Sequence, residues 1–162
     1  MGTLDYQRLR GARLPHYQFG CAEVFITFLV KRVGHPTSRH RVLDLRRDRY
    51  AAILRAVLQR YDGKLYRLHA WVIMPDHVHL LLNPVVRHGT PVSLSMIVHT
   101  IKRVSAARIN RRRGDSGSIW QPNYWDSTIR NKTHYRRVRR YIRMNPVKKG
   151  LVKSPGEWEW MG

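Results

Sequence analysis

A single cysteine, Cys21, in 162 residues excludes an internal disulfide and a cysteine-rich zinc site. Acidic side chains are scarce too: 10 Asp and Glu stand against 31 Lys and Arg, a formal charge of +21 with histidine neutral. A small domain that folds against such self-repulsion is suited to a polyanionic partner. The excess fixes the partner's sign but not its identity, since ribosomal, histone-like and nuclease domains all share it. Long apolar runs are also missing. Val24–Val30 is far shorter than the roughly 20 residues a membrane helix needs. Residues 1–19 carry arginines but no apolar core of signal-peptide length. These absences point to a soluble, cytoplasmic protein without a membrane segment. Apolar residues still make up 43% of the chain, enough for one buried core.

Residues 1–20 form a basic arm with Arg8, Arg10 and Arg13, and 21–162 form one domain. Val24–Val30 is rich in β-branched and aromatic residues and predicts a buried strand, broken at Gly34–Ser38. Leu43 to Tyr61 repeats apolar residues at helical spacing and closes at Asp62-Gly63. Leu65–Met74 and His77–Leu82 predict a hairpin around Pro75-Asp76, followed by a loop over Asn83–Thr90. Ser93 is a natural cap for a second helix through about Ile109. Ile119–Ile129 reads as a short strand. Thr133 caps a third helix through Ile142, stopped at Asn145-Pro146. Leu151–Gly162 folds back onto the body. The order predicts an α+β, ferredoxin-like split βαβ domain: a central antiparallel sheet, helices on one face, and an added C-terminal helix that bears Tyr141.

Two patterns carry chemistry. In His77-Val78-His79 the pleat sends both imidazoles to one face, where they can share a divalent cation. The same pair is also compatible with two half-buried histidines on a sheet. Tyr141 and Asn145 lie four residues apart on the third helix and therefore share a face. Tyr141 is a candidate nucleophile for a phosphodiester, and Asn145 offers a carbonyl oxygen to the same cation. Ordinary helix packing and a helix stop are the alternative for this pair.

Taken with Trp120-Gln121-Pro122-Asn123-Tyr124-Trp125-Asp126 and the run Tyr141 to Val152, these motifs resemble the single-tyrosine transposases of insertion-sequence type, and most closely the REP-associated tyrosine transposases of bacteria. The resemblance spans about Val24 to Val152. It implies His77 and His79 as metal ligands, Asn145 as the third, Mg²⁺ or Mn²⁺ as the ion, and Tyr141 as the nucleophile. The products would be a 5′-phosphotyrosine and a free 3′-hydroxyl, on single-stranded DNA with short REP-like hairpins. Residues 21–162 then form a single catalytic domain of a cytoplasmic, nucleoid-associated bacterial enzyme. Many relatives have an acidic–histidine pair where this chain has Asp126-Ser127, so no role for that histidine carries over.

Lys102 and Arg103 on the second helix, with Arg130, Arg143, Lys148 and Lys149 around the nucleophile, make a candidate DNA-binding set. Trp120, Tyr124 and Trp125 are candidates for stacking on unpaired bases or for the core. Monomer and homodimer are both compatible with the sequence. The competing function is a non-catalytic basic nucleic-acid-binding protein on the same scaffold; a third possibility is a metal-dependent hydrolase that uses water.

Overall fold

The structure, a computed structural model, describes residues 22–31 and 43–162. The basic arm, Cys21 and the Gly34–Ser38 break lie outside the described residues. The chain runs β1 (Val24–Leu29), α1 (Asp48–Tyr61), β2 (Tyr66–Ile73), β3 (His77–Pro84), the small pair β4 (Val86–Arg87) and β5 (Thr90–Pro91), α2 (Leu94–Arg113), β6 (Trp125–Thr128) and α3 (Lys132–Lys148). The main sheet is antiparallel in the order β2-β3-β1-β6. This is the split βαβ arrangement expected from the sequence.

Both sheet faces are covered, which explains why the central strands are apolar almost throughout. On one face, Ile26, Phe28, Val78 and Leu80 pack with Leu54 and Leu58 of α1 and Ile97 and Ile101 of α2. On the other, Phe25, Val72 and Leu81 pack with Val138 and Ile142 of α3. The central strand β3 therefore presents Val78, Leu80 and Leu82 to the α1/α2 layer and the alternate residues to α3.

Several boundaries differ from the sequence expectation, each for a local reason. α1 starts at Asp48 rather than Leu43 because Leu45 is buried and its N–H is held by the Pro75 carbonyl at 2.9 Å, which ties this stretch to the β2–β3 turn. The Asn83–Thr90 loop contains a tight hairpin, with His88 and Gly89 both at positive φ. Only Trp125–Thr128 of the expected strand pairs along β1; Trp120 makes an isolated bridge to Val30, with Pro122 interrupting the ladder between them. The cap of α3 is Asn131, whose side chain accepts the His134 N–H at 2.8 Å, not Thr133. The helix also runs through Asn145-Pro146 to Lys148. Proline that close to a helix end removes one backbone bond, and burial of Pro146 offsets the loss. The chain end returns along β2, where Trp71 N–H donates to Gly162 at 2.7 Å and Ile73 N–H to Trp160 at 2.9 Å. That segment shields the edge of the sheet. Among the described residues no helix is long and apolar enough to cross a membrane.

Candidate active site

The pleat of β3 turns His77 and His79 toward α3, with ring centroids 4.6 Å apart. His79 is buried (1% exposed), and the register sets its surroundings. Thr27 lies directly across on β1, and its hydroxyl is 2.7 Å from His79 Nδ1. Phe25 packs beside the imidazole with centroids 5.3 Å apart. His77 sits at the start of β3, its side chain 14% exposed, and its Nδ1 is 2.7 Å from Asp76 Oδ1. That contact, opposed by partial burial, holds the Asp76 carboxyl below its usual range.

α3 brings the other two groups. Its inner face is Val138, Ile142 and Asn145, spaced at helical intervals. Tyr141 stands 5.3 Å from the His79 ring and 5.8 Å from Phe25, edge to face with each. The Asn145 amide reaches His79 Nε2 at 3.2 Å, while its Oδ1 is buried without a hydrogen-bond partner. The four side chains singled out as metal ligands and nucleophile therefore meet within one chain. A cavity of about 360 Å³ opens beside them, lined by Asp76, His77 and Lys149 among others.

The six candidate DNA-binding cations divide. Arg130, Arg143, Lys148 and Lys149 are exposed, and Lys148 Nζ lies 5.4 Å from the Tyr141 ring centre. Arg103 is exposed on α2, across the sheet from the histidines. Lys102 turns inward instead: its ammonium donates to the carbonyls of Gln121, Pro122 and Asn123 at 2.9, 3.2 and 2.9 Å. Burial pushes it down to about 8, so it is still charged at neutral pH with all three protons engaged. Its role in the fold is to pin the segment before β6. Trp120 is likewise withdrawn, packed on Phe28 and donating to Ser105 Oγ at 3.0 Å. Trp125, half-buried against Phe25, is the aromatic of the three that sits on the α3 side.

Replacing Lys102 by Met should therefore lower stability by about 1–3 kcal/mol, because three carbonyls lose their donor, and leave binding to a DNA probe near wild type. Arg143→Ala should do the reverse. Urea midpoints and fluorescence-anisotropy titrations on the two variants check the pair.

Thr27 carried a signal that went unused: it is the one polar residue in Val-Phe-Ile-Thr-Phe-Leu, and a buried hydroxyl needs a partner. Exposed Arg136, Arg137, Arg139 and Arg140 extend the basic surface of α3 and were readable only once the helix's buried face was known.

Burial holds the His79 imidazole well below its ordinary range, and the neighbouring His77 and Lys149 act in the same direction. Unfolded, the ring takes up a proton near pH 6.5. The folded form resists protonation, so stability is full above about pH 6.5 and falls as pH drops below it, by up to about 1.4 kcal/mol per unit. His134 is shifted in the same direction by burial, Arg137 and Arg130. It is only half-buried, so it adds less than His79. Urea midpoints of chelator-treated protein should hold from pH 8 to 7 and decline toward pH 5, with His79→Gln flattening the slope. An unchanged midpoint down to pH 5 in the parent protein would mean that the ring titrates freely.

A split βαβ sheet with a His-hydrophobe-His strand facing a tyrosine-bearing helix defines a class, and the chain belongs to it: the IS200-like transposase family, whose family model matches residues 27–145. Within that family it is similar to the REP-associated tyrosine transposase of Escherichia coli K12, with 29% identity over 120 residues, 74% of this chain and 68% of that protein. It also resembles a solved REP-associated tyrosine transposase bound to a REP hairpin, with a TM-score of 0.72 and 25% identity over 93% of this chain and 81% of the other. The chain is accordingly an enzyme of the tyrosine-transposase kind.

Proposed function

We propose that the chain is a divalent-cation-dependent endonuclease and strand transferase that cuts single-stranded DNA beside a REP-like hairpin and holds the cut end on Tyr141. The observation that carries this reading is the convergence of His77, His79, Tyr141 and Asn145 from β3 and α3 of one chain.

The donor spacing suits a small octahedral cation. Neighbouring ligands of an octahedral ion with bonds of 2.0–2.1 Å stand about 3 Å apart, and His79 Nε2 and the Asn145 amide are 3.2 Å apart. Turning that amide over would bring its partnerless Oδ1 to the same place without changing the side chain's shape. His77, His79 and Asn145 would hold Mg²⁺ or Mn²⁺, which supplies charge neutralisation and polarisation of the scissile phosphate.

Tyr141 attacks that phosphorus through its phenolic oxygen. The new bond joins tyrosine to the 5′ phosphate, and the bond to the 3′ oxygen breaks. The phenol gives up a proton and the leaving oxygen takes one, so a free 3′-hydroxyl remains. Because the phosphotyrosine ester conserves the bond energy, a later hydroxyl can reverse or redirect the join. Lys148 and Lys149, beside Tyr141 and His77, offer positive charge to the flanking phosphates. The exposed arginines of α3 and Arg130 extend that surface. Tyr141 lies in its own chain's site, so a monomer suffices. A nucleoid-associated role in the bacterial cytoplasm agrees with the +21 charge and with the hairpin held by the solved relative.

The test is a labelled hairpin oligonucleotide with single-stranded flanks, incubated with protein and Mn²⁺ and run on a denaturing gel. A covalent band that disappears with chelator supports the enzyme reading. Binding without cleavage across several hairpins would favour a non-catalytic module, and chelator-sensitive cutting without an adduct would point to water as the nucleophile.

A further inference from the structure

Both histidines are held by the same ring nitrogen, through groups that come from different parts of the sheet. His79 Nδ1 meets the Thr27 hydroxyl at 2.7 Å, and His77 Nδ1 meets the Asp76 carboxylate at 2.7 Å. A neutral imidazole carries one proton, and the nitrogen that bears it is set by its hydrogen-bond partner. A carboxylate only accepts, so His77 carries its proton on Nδ1. At His79, the Asn145 Nδ2 at 3.2 Å only donates, so Nε2 accepts and the proton again lies on Nδ1, directed to Thr27. Both Nε2 atoms are left with a lone pair, on rings 4.6 Å apart.

We propose that Thr27 and Asp76 are positioning residues of the cation site, each accepting the Nδ1–H of one histidine and so holding that ring with Nε2 toward the ion. The proposal rests on the catalytic reading above and extends it to two residues outside the proposed ligand set. Thr27 is suited to the task because the β1–β3 register places it directly opposite His79, and it is buried (2% exposed). Any other pairing register would put an apolar side chain of β1 there, or turn Thr27 toward the α1/α2 layer. Asp76 is suited because the tight turn between β2 and β3 sets its carboxylate beside the first ligand. A group that orients a ligand in this way typically affects metal affinity by about 10- to 100-fold.

Two measurements test it. Long-range ¹⁵N–¹H spectra of the histidine rings in metal-free protein report the tautomer directly. Both His77 and His79 should show a protonated Nδ1 and a bare Nε2. Mn²⁺ affinity, followed by loss of the free-ion electron paramagnetic resonance signal, should weaken by about 10- to 100-fold in Thr27→Val and in Asp76→Ala. Thr27→Ser, which restores the hydroxyl, should return it to wild type. Asp76 is on the surface, so its variant serves if Thr27→Val does not fold. A wild-type tautomer with the proton on Nε2, or Mn²⁺ affinity unchanged in both variants, overturns the proposal. If affinity is unchanged in these variants but lost in His79→Gln, the positioning role fails and the metal site stands. If wild type and His79→Gln bind Mn²⁺ alike, the metal site fails and the positioning role fails with it.

Discussion

Tyr141→Phe is expected to abolish covalent capture of DNA and to slow cleavage by on the order of 10³-fold or more, with hairpin affinity within about two-fold of wild type. The expectation follows from what the ring and the oxygen each do. The ring packs edge to face against Phe25 at 5.8 Å and His79 at 5.3 Å, and phenylalanine keeps both contacts. The substitution therefore removes the phenolic oxygen and little else. Affinity for a nucleic acid is dominated by contacts between phosphates and cations, which the change does not alter. A suicide oligonucleotide on a denaturing gel reads the adduct, and a filter-binding titration reads affinity. Cutting at the wild-type rate by Tyr141→Phe would mean that water, activated at the histidine site, does the chemistry. Loss of affinity together with cutting would mean that the phenol contributes to DNA binding.

The candidate site was readable from sequence because two local periodicities do most of the geometric work. Alternation along β3 puts His77 and His79 on one side whatever the strand packs against, and a spacing of four puts Tyr141 and Asn145 on one side of α3. That the two faces meet follows from the tertiary fold, and the resemblance to a known family anticipated it. The same resemblance could not supply side-chain partners. Lys102 looked like one more surface cation, yet three carbonyls of a loop about twenty residues later draw it inward. Thr27 is 52 residues from His79 and becomes its partner only through strand register. Nor could the Asn145-Pro146 pair reveal that the helix would continue, because the burial that offsets the missing backbone bond is a property of the assembled core. The fold itself was legible from the order of its elements, which is that of a split βαβ domain; the expected helices on one face are α1 and α2, and the apolar character of β1 and β3 on both sides reflects the added cover of α3 on the other.

Alanine at His77 and at His79 should be alike in activity and unlike in stability. If each histidine supplies one ligand, either loss should reduce cleavage by on the order of 10³-fold, with hairpin binding in the absence of metal retained. The two residues sit in different surroundings, though. His77 is at the open end of β3 beside the cavity, and its partner Asp76 is half-exposed and can turn to water. His77→Ala should therefore cost less than about 1 kcal/mol. His79 is enclosed by Thr27, Phe25, Tyr141 and Asn145. His79→Ala leaves a void there, and the Thr27 hydroxyl and the Asn145 amide each lose a partner, so it should cost about 2–4 kcal/mol. Urea unfolding of both variants beside the cleavage assay separates chemistry from folding. Inactivity in a stably folded His77→Ala would tie the loss to the site rather than to the fold. Full activity in that variant would remove His77 from the ligand set and leave His79 as a buried core histidine.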